Sequence, residues 1–401
     1  MNKIGLSTIC GLSALLPISA MSAEETEQGA AIHLPAGIDF SPSALVEFRH
    51  DDNITNASIE RVQSWVVTSR ANMLFEAKHD ADSYRLEYAV EKGAYLDSKI
   101  DNYLDHDLLG GAKWELSDTV RLAVDGRHQS AHEGRGSNFS QGIGAELEEP
   151  DTFLLSDVSV SLSYGPDTSP VRLDTSLGAD RLDYYGGIRT QDRDRRSAFG
   201  ALTLRFKTGA KTELVGEVSH RSFKYEFLAP GQQTLDSTES DYLVGLNWEG
   251  AKTVVRIRGG VRSKQFDSDQ RADFSGARWD GSIAWKPRTY STIEVASDRR
   301  TEEVQGEGDY IDIVSHSLSW NHEWSDLISS EILHSLDQAE YSGELGIPRD
   351  EDYQRSTVSL SYRMRYWLAL SIGYERQQQD AVDARLNYDR NISYIGFKLS
   401  I

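Results

Sequence analysis

The sequence predicts an all-β chain, a transmembrane up-and-down antiparallel β-barrel of about 18 strands. Three observations predict it. From about residue 43 onward, segments of roughly 8 to 17 residues alternate apolar and polar side chains, the two-residue period of a strand with unlike faces. The connections between these segments alternate short and long. The mean hydropathy is -0.50 and 26% of residues are charged, which excludes a helical membrane bundle built of apolar runs of about 20 residues.

Along the chain, residues 1–23 read as a signal peptide: Lys3 precedes the apolar run Ile4 to Leu16, and Ala20 and Ala23 offer cleavage sites. The one cysteine, Cys10, falls inside this segment after Ile9, not after the small residue a lipoprotein site needs. A mature chain without disulfides calls for another way of holding together, and a hydrogen-bonded ring of strands is one. Residues 24–42 read as a short, acidic, proline-containing periplasmic lead-in, and residues 43–401 as the barrel.

Strands are expected near 43–50, 61–77, 83–94, 104–116, 119–129, 152–164, 170–182, 195–207 and 211–225. Others follow near 239–249, 252–264, 273–286, 290–300, 309–323, 326–338, 353–366, 367–378 and 388–401. In the second, Trp65, Val67, Ala71, Met73 and Phe75 share one face, and Arg70, Asn72 and Glu76 the other. In the eleventh, Val255, Ile257 and Val261 alternate with Arg256, Arg258 and Arg262. Short turns such as Ser117-Asp118 and Ser325-Asp326 separate long polar loops, of which Ser130 to Pro150 is the longest. Prolines are expected only at connections, strand margins or in the lead-in.

A soluble sandwich would turn the apolar faces to a core, and a barrel turns them to lipid. Strand number and tryptophan placement favour the barrel. Trp114, Trp248, Trp285, Trp320 and Trp324 sit near the short turns, as an interfacial girdle requires, with Trp65 at the opposite end. An even strand count puts both termini on the short-turn, periplasmic side of the bacterial outer membrane.

Several motifs recur in order. They are Pro42 to Asn53, a first strand running into Asp51-Asp52-Asn53, then Asp101 to Asp105, Gly134 to Ser137 and Asp183-Tyr184-Tyr185. Pro348-Arg349-Asp350, Tyr362-Arg363, Arg365-Tyr366-Trp367 and Tyr388 to Asn391 complete the series. In these the chain resembles the outer-membrane beta-barrel porin family associated with exopolysaccharide export, of the putative beta-barrel porin 2 type. The resemblance implies a barrel that assists export of a secreted polysaccharide beside a polysaccharide export protein, and it carries over no catalytic residue. The last strand, Tyr394 to Ile401, resembles the C-terminal signal read by the barrel assembly machinery, with Ile401 where an aromatic residue is usual.

No enzyme, cofactor or metal centre is expected. The ten histidines are scattered without His-Glu-x-x-His spacing, and no Gly-x-Ser-x-Gly elbow occurs. A net charge of -21 argues against nucleic acid as a partner. The expected partners are outer-membrane lipid and lipopolysaccharide, the polymer, the export protein and the assembly machinery. If lipid takes the apolar faces, the lumen-lining candidates are Arg70, Arg85, Glu87, Arg121, Asp125, Arg172, Arg205, Glu213, Glu217, Arg221, Arg256, Arg258, Arg278, Asp280, Glu294, Arg363 and Arg365. Such a wall suits a hydrated, acidic sugar polymer, because guanidinium forks bind carboxylates and phosphates. The same charges also suit pairwise bracing of the wall. Export conduit, general or sugar-selective diffusion porin, and barrel enzyme or adhesin are the competing functions. Constriction of so wide a barrel falls to a loop folding inward, with Ser130 to Pro150 the leading candidate.

Overall fold

The protein, a computed structural model, is described over residues 31–166, 168–185, 189–228, 231–304, 308–343 and 349–400. The expected signal peptide and Ile401 lie outside these residues. A three-residue strand, β1 (Ile32–Leu34), is followed by β2 (Ile38–Asp51), β3 (Ser64–His79), β4 (Asp82–Tyr95), β5 (Tyr103–Ser117), β6 (Val120–Glu133) and β7 (Asp151–Tyr164). Next come β8 (Val171–Tyr185), β9 (Arg195–Lys207), β10 (Thr212–Tyr225), β11 (Ser237–Glu249), β12 (Thr253–Phe266) and β13 (Phe274–Arg288). The last are β14 (Ser291–Glu303), β15 (Tyr310–Ser325), β16 (Ile328–Ser342), β17 (Asp350–Arg365), β18 (Leu368–Ala381) and β19 (Tyr388–Ser400).

Each of β2 to β19 pairs antiparallel with its sequence neighbours, and β19 pairs with β2 from Ser400–Ser43 to Ile392–Asp51. The 18-strand sheet therefore closes on itself and leaves no long edge. Its strands are 13 to 16 residues long, ample for a tilted membrane crossing, which takes about 9–11. Helix is confined to single 3-10 turns of three residues among the described residues, and no helix there is long and apolar enough to cross a membrane.

The expected strands all stand, with ends shifted by a few residues. The first begins at Ile38, not near 43, and β1 folds back on it through Pro35–Gly37. Pro42 therefore lies inside β2. The β19 partner stops at Ser43, so the missing N–H of Pro42 costs no ladder bond on that side. Pro287 sits where the β13–β14 register shifts between Trp285 and Arg288.

The two faces differ as the alternation requires. Val244 is 73% exposed and Leu177 61%, on the outside of the ring. The opposite face carries hydrogen bonds between strands that are not neighbours, which only the concave side of a ring brings together. Arg258 of β12 reaches Glu217 of β10 at 2.7 Å, and Arg221 of β10 reaches Asp180 of β8 at 2.7 Å. Trp248, Trp285 and Trp324 stand beside the short turns, and His322 packs between Trp320 and Trp324 in that girdle (ring centroids 5.4 and 4.3 Å).

Candidate functional site

The wall residues singled out from the sequence stand on the inner face, and most are paired there. Arg70 lies 3.8 Å from Glu91, and Arg85 2.5 Å from Glu87. Arg205 bridges Asp174 (2.6 Å) and Glu213 (3.1 Å), with Arg172 3.4 Å from the same Asp174. Arg258 joins Glu217 to Asp280 at 2.7 and 2.9 Å, and Arg278 approaches Asp280 at 3.9 Å. Arg121 donates to the Gly165 carbonyl (2.9 Å) and Arg363 to that of Asp326 (3.3 Å). Asp125 lies against Gly111, where a Cβ would meet its Oδ1 at 2.7 Å. Glu294 faces Ala284 and Ser319 across its two ladders. Near the short turns Glu115, Lys207, Arg256 and Arg365 are exposed. Charged side chains at that end therefore stand open to solvent.

The long-loop end is filled. The β6–β7 connection, residues 134–150, is tied at its start by Arg135 to the turn between β4 and β5. This side chain makes a two-pronged pair with Asp101 (2.7 and 2.7 Å) and donates to the Leu147 carbonyl (2.8 Å). Both partners are buried, and Arg suits the bidentate geometry. Asn56, from the β2–β3 loop, donates to the Gly136 carbonyl at 3.3 Å. Farther along, Gly142 packs on Leu386 of the β18–β19 loop, and Gln141 accepts a hydrogen bond from Arg349 beside β17. On the ring β6 and β17 are separated by β5, β4, β3, β2, β19 and β18. The segment thus crosses the mouth rather than rising from it.

Two glycines make the crossing possible. Gly136 has φ +83°, and a Cβ there would sit 1.7 Å from the Thr55 carbonyl oxygen; Gly142 has φ +76°. Replacing Gly136 with valine is expected to undock the segment while leaving the barrel folded. The check is protease cleavage within residues 137–147, appearing in the variant and absent from the parent protein. An equally resistant variant would show that the loop finds another seat.

Inside this cap lies a layer of apolar residues on the inner face. Phe153, Leu155, Leu182 and Tyr184 are buried together with Ala131. Tyr184 donates to Glu133 (2.6 Å), and Arg193 pairs with Glu133 while lying 4.0 Å over the Tyr184 ring. Arg189 and Arg193 also flank Phe139 of the crossing loop, each 5.5 Å from its centroid. In the β8–β9 loop, burial holds the Asp192 and Asp194 carboxyls above the usual range. In the β18–β19 loop the Arg385 guanidinium hydrogen-bonded to Asp383 holds that carboxyl below it.

The other half of the mouth closes differently. Above Trp279–Arg299 the β13–β14 ladder ends, and the top of β14 leans across the inner wall. Thr301 donates to Glu239 of β11 at 3.0 Å, and Glu303 accepts from Lys264 of β12 and Tyr225 of β10. Lys264 is 0% exposed. Val304, Ile311 and Ile313 cluster behind it against Leu235, Ala339 and Tyr341.

The sequence motifs converge on this end. Asp51 pairs with Arg390, Asp52 accepts from the Asn391 amide and side chain (2.7 and 2.7 Å), and Asn53 donates to the Asp389 carbonyl (3.0 Å). The first and last motifs therefore clasp each other across the β2–β19 seam. The second and third clasp through Asp101 and Arg135. Asn53 and Asn56, each in an Asn-x-Ser/Thr triplet, are buried within this network and so are poorly placed as glycan acceptors. Sequence reasoning missed the inward apolar layer and the leaning hairpin. Their signal was a lapse in strict alternation, at Phe153-Leu154-Leu155 and at Ile313-Val314.

His334 sits outside the ring, sharing a 2.9 Å hydrogen bond with Ser356, as does His220 with Ser240. Among the described residues no three or more His, Cys, Asp or Glu side chains gather so as to hold a metal ion.

No curated protein sequence matches the chain. Solved structures similar to it include the siderophore receptor PirA from Acinetobacter baumannii, at 9% identity and TM-score 0.48, covering 90% of this chain and 80% of that one. OccK1 (OpdK) from Pseudomonas aeruginosa is similar at 9% identity and TM-score 0.47, with 90% and 99% covered. OccK11 (OpdR) from the same organism is similar at 13% and 0.47, with 94% and 98% covered. The family model described as Putative beta-barrel porin 2 matches residues 39–401, from the second residue of β2 to the end of the chain. A closed 18-strand barrel with apolar stripes outside, a charged wall inside and a match along that whole length make this chain a member of the putative beta-barrel porin 2 family, an outer-membrane β-barrel porin.

Proposed function

We propose that this porin assists passage of a secreted exopolysaccharide or capsular polysaccharide across the outer membrane, working beside a polysaccharide export protein. The observation that carries the reading is the asymmetry of the two ends: exposed charged side chains at the turn end, interlocked loops across the other. A polymer conduit needs a broad entrance and a closure that opens only with cargo or partner. On this reading the short turns and both termini face the periplasm, and the loops face outward. The ladder of Arg–carboxylate pairs supplies exchangeable hydrogen bonds to sugar hydroxyls and uronate groups. Arg205, Arg221 and Arg258 are central to it, because each already spans two carboxylates or two strands.

A second reading, a diffusion porin for small solutes, is favoured by the exposed Arg256 and Arg365 at the turn mouth. A clean deletion separates the two. Loss of surface polysaccharide, restored by the intact gene, is the expected result. Unchanged polysaccharide together with slower uptake of small sugars in the deletion strain would replace export with diffusion.

A further inference from the structure

The outer surface carries one arrangement that a lipid-facing wall does not explain. On β8, β9 and β10, Arg181 stands directly opposite Arg196, and Arg196 directly opposite Lys224. Like charges directly opposite each other destabilise a sheet. The outer two are offset by carboxylates: Arg181 by Asp183 (2.9 Å) and Glu226 (3.0 Å), Lys224 by Asp236 (3.1 Å) and Asp267 (2.6 Å). Arg196, the middle cation, is exposed and has no ion pair or hydrogen bond among the described residues. One row nearer the short turns, the same strands present Ala179, Ala198 and Ser222, small residues in matching register beside Val158. They floor an open hollow of about 550 Å³ rimmed by the three cations together with Glu226, which is held by Arg181.

We propose that this hollow binds a phosphorylated glycolipid of the outer leaflet, the lipid A part of lipopolysaccharide. Its phosphate sits on Arg196 between Arg181 and Lys224, and an acyl chain lies along the Ala-Ser floor. The chemistry fits at both ends. Guanidinium pairs with phosphate in two-pronged fashion, and a floor without side-chain bulk leaves room for methylenes. These four carboxylates hold the flanking cations in place and leave the middle one uncompensated. The choice of lipid A over an inner-leaflet phospholipid rests on the outward placement of the long loops under the proposed function. That placement is tested separately, by labelling an Asp269→Cys variant on intact cells with a membrane-impermeant thiol reagent.

The binding test uses the full-length barrel in nonionic-detergent micelles, with bound lipid counted by native mass spectrometry. Probes are bis-phosphorylated lipid A, the same glycolipid stripped of phosphate, and inorganic phosphate. Arg196→Gln is expected to lower retention of bis-phosphorylated lipid A by about tenfold, the scale of one lost charge-assisted contact. Arg376→Gln, an outward cation on β18, should leave retention unchanged. The stripped glycolipid should bind no better to the parent than bis-phosphorylated lipid A binds to Arg196→Gln, and inorganic phosphate should not bind. Because Arg196→Gln removes repulsion, its unfolding temperature in lipid-free detergent should equal or exceed the parent's. Equal retention by parent and Arg196→Gln overturns the proposal. So does equal binding of stripped glycolipid, saturable binding of inorganic phosphate, or an equal loss in Arg376→Gln.

Discussion

Replacing residues 135–149 with a short Gly-Ser turn is expected to raise single-channel conductance in a planar bilayer at least about threefold, since a ring of 16 to 18 strands otherwise encloses a water-filled channel. The intact protein should conduct little. Its crossing loop docks on the β2–β3 loop through Asn56, on the β18–β19 loop through Leu386, and on Arg349 beside β17, so it lies over the opening from one wall almost to the other. The deletion removes Arg135 and uncovers Asp101, but Asp101 then faces water rather than a buried void, and the barrel ladders are untouched. A fold check by heat-dependent gel mobility should therefore show an unshifted band. Unchanged conductance in a folded variant would transfer the closure to the top of β14, where Thr301 and Glu303 lean onto Glu239 and Lys264. Breaking that contact would then be the step that opens the pore.

Much of this architecture is legible in the sequence because a barrel wall reports both its solvents at every residue. Lipid on one side and water on the other enforce strict alternation, so the face of each side chain follows from a segment such as Val255 to Arg262 or Val358 to Arg365, and strand number and turn side from the series of segments and connections. The same logic fails where the lumen stops being wet. At Phe153 and Leu155 the inner face is apolar because the crossing loop and Arg193 cover it. Alternation then carries no contrast between faces. Lys264 is opaque in another way. Its position in the strand marks it as a lumen cation exposed to water, but nothing local says that a hairpin two strands on will bury it between Glu239 and Glu303. The wall arginines were legible as inner-face residues, while their partners were only partly so. Arg258 finds Asp280 on the adjacent strand, which register supplies, and Glu217 two strands away, which only ring curvature supplies. The motifs of the resemblance were readable as strings, and their mutual contact across 339 residues was not.

That contact carries the second large effect. Every neighbouring pair of barrel strands is joined by a turn or loop except β19 and β2, whose approach closes a chain segment of more than 300 residues. Side chains must supply what a hairpin would. Asp51 is 4% exposed and receives Arg390, which also donates to Asn56 Oδ1 at 3.2 Å; Asp52 and Asn391 add a second pair of bonds one residue on. Arg390→Met strands the Asp51 carboxylate in a buried site, a loss on the order of 3–5 kcal/mol for a broken buried pair. It should appear as a drop in the temperature at which the folded band converts on heat-dependent gels. Asp51→Asn in the same chain should recover more than half of the drop, because the orphaned charge, not the missing attraction, dominates the cost. A matched control, Arg85→Met, breaks an exposed pair with Glu87 and should shift the transition little. Equal shifts at Arg390 and Arg85 would mean that the backbone ladder alone holds the seam. The motifs at the two ends of the chain would then have to be explained by the docked loop above them instead.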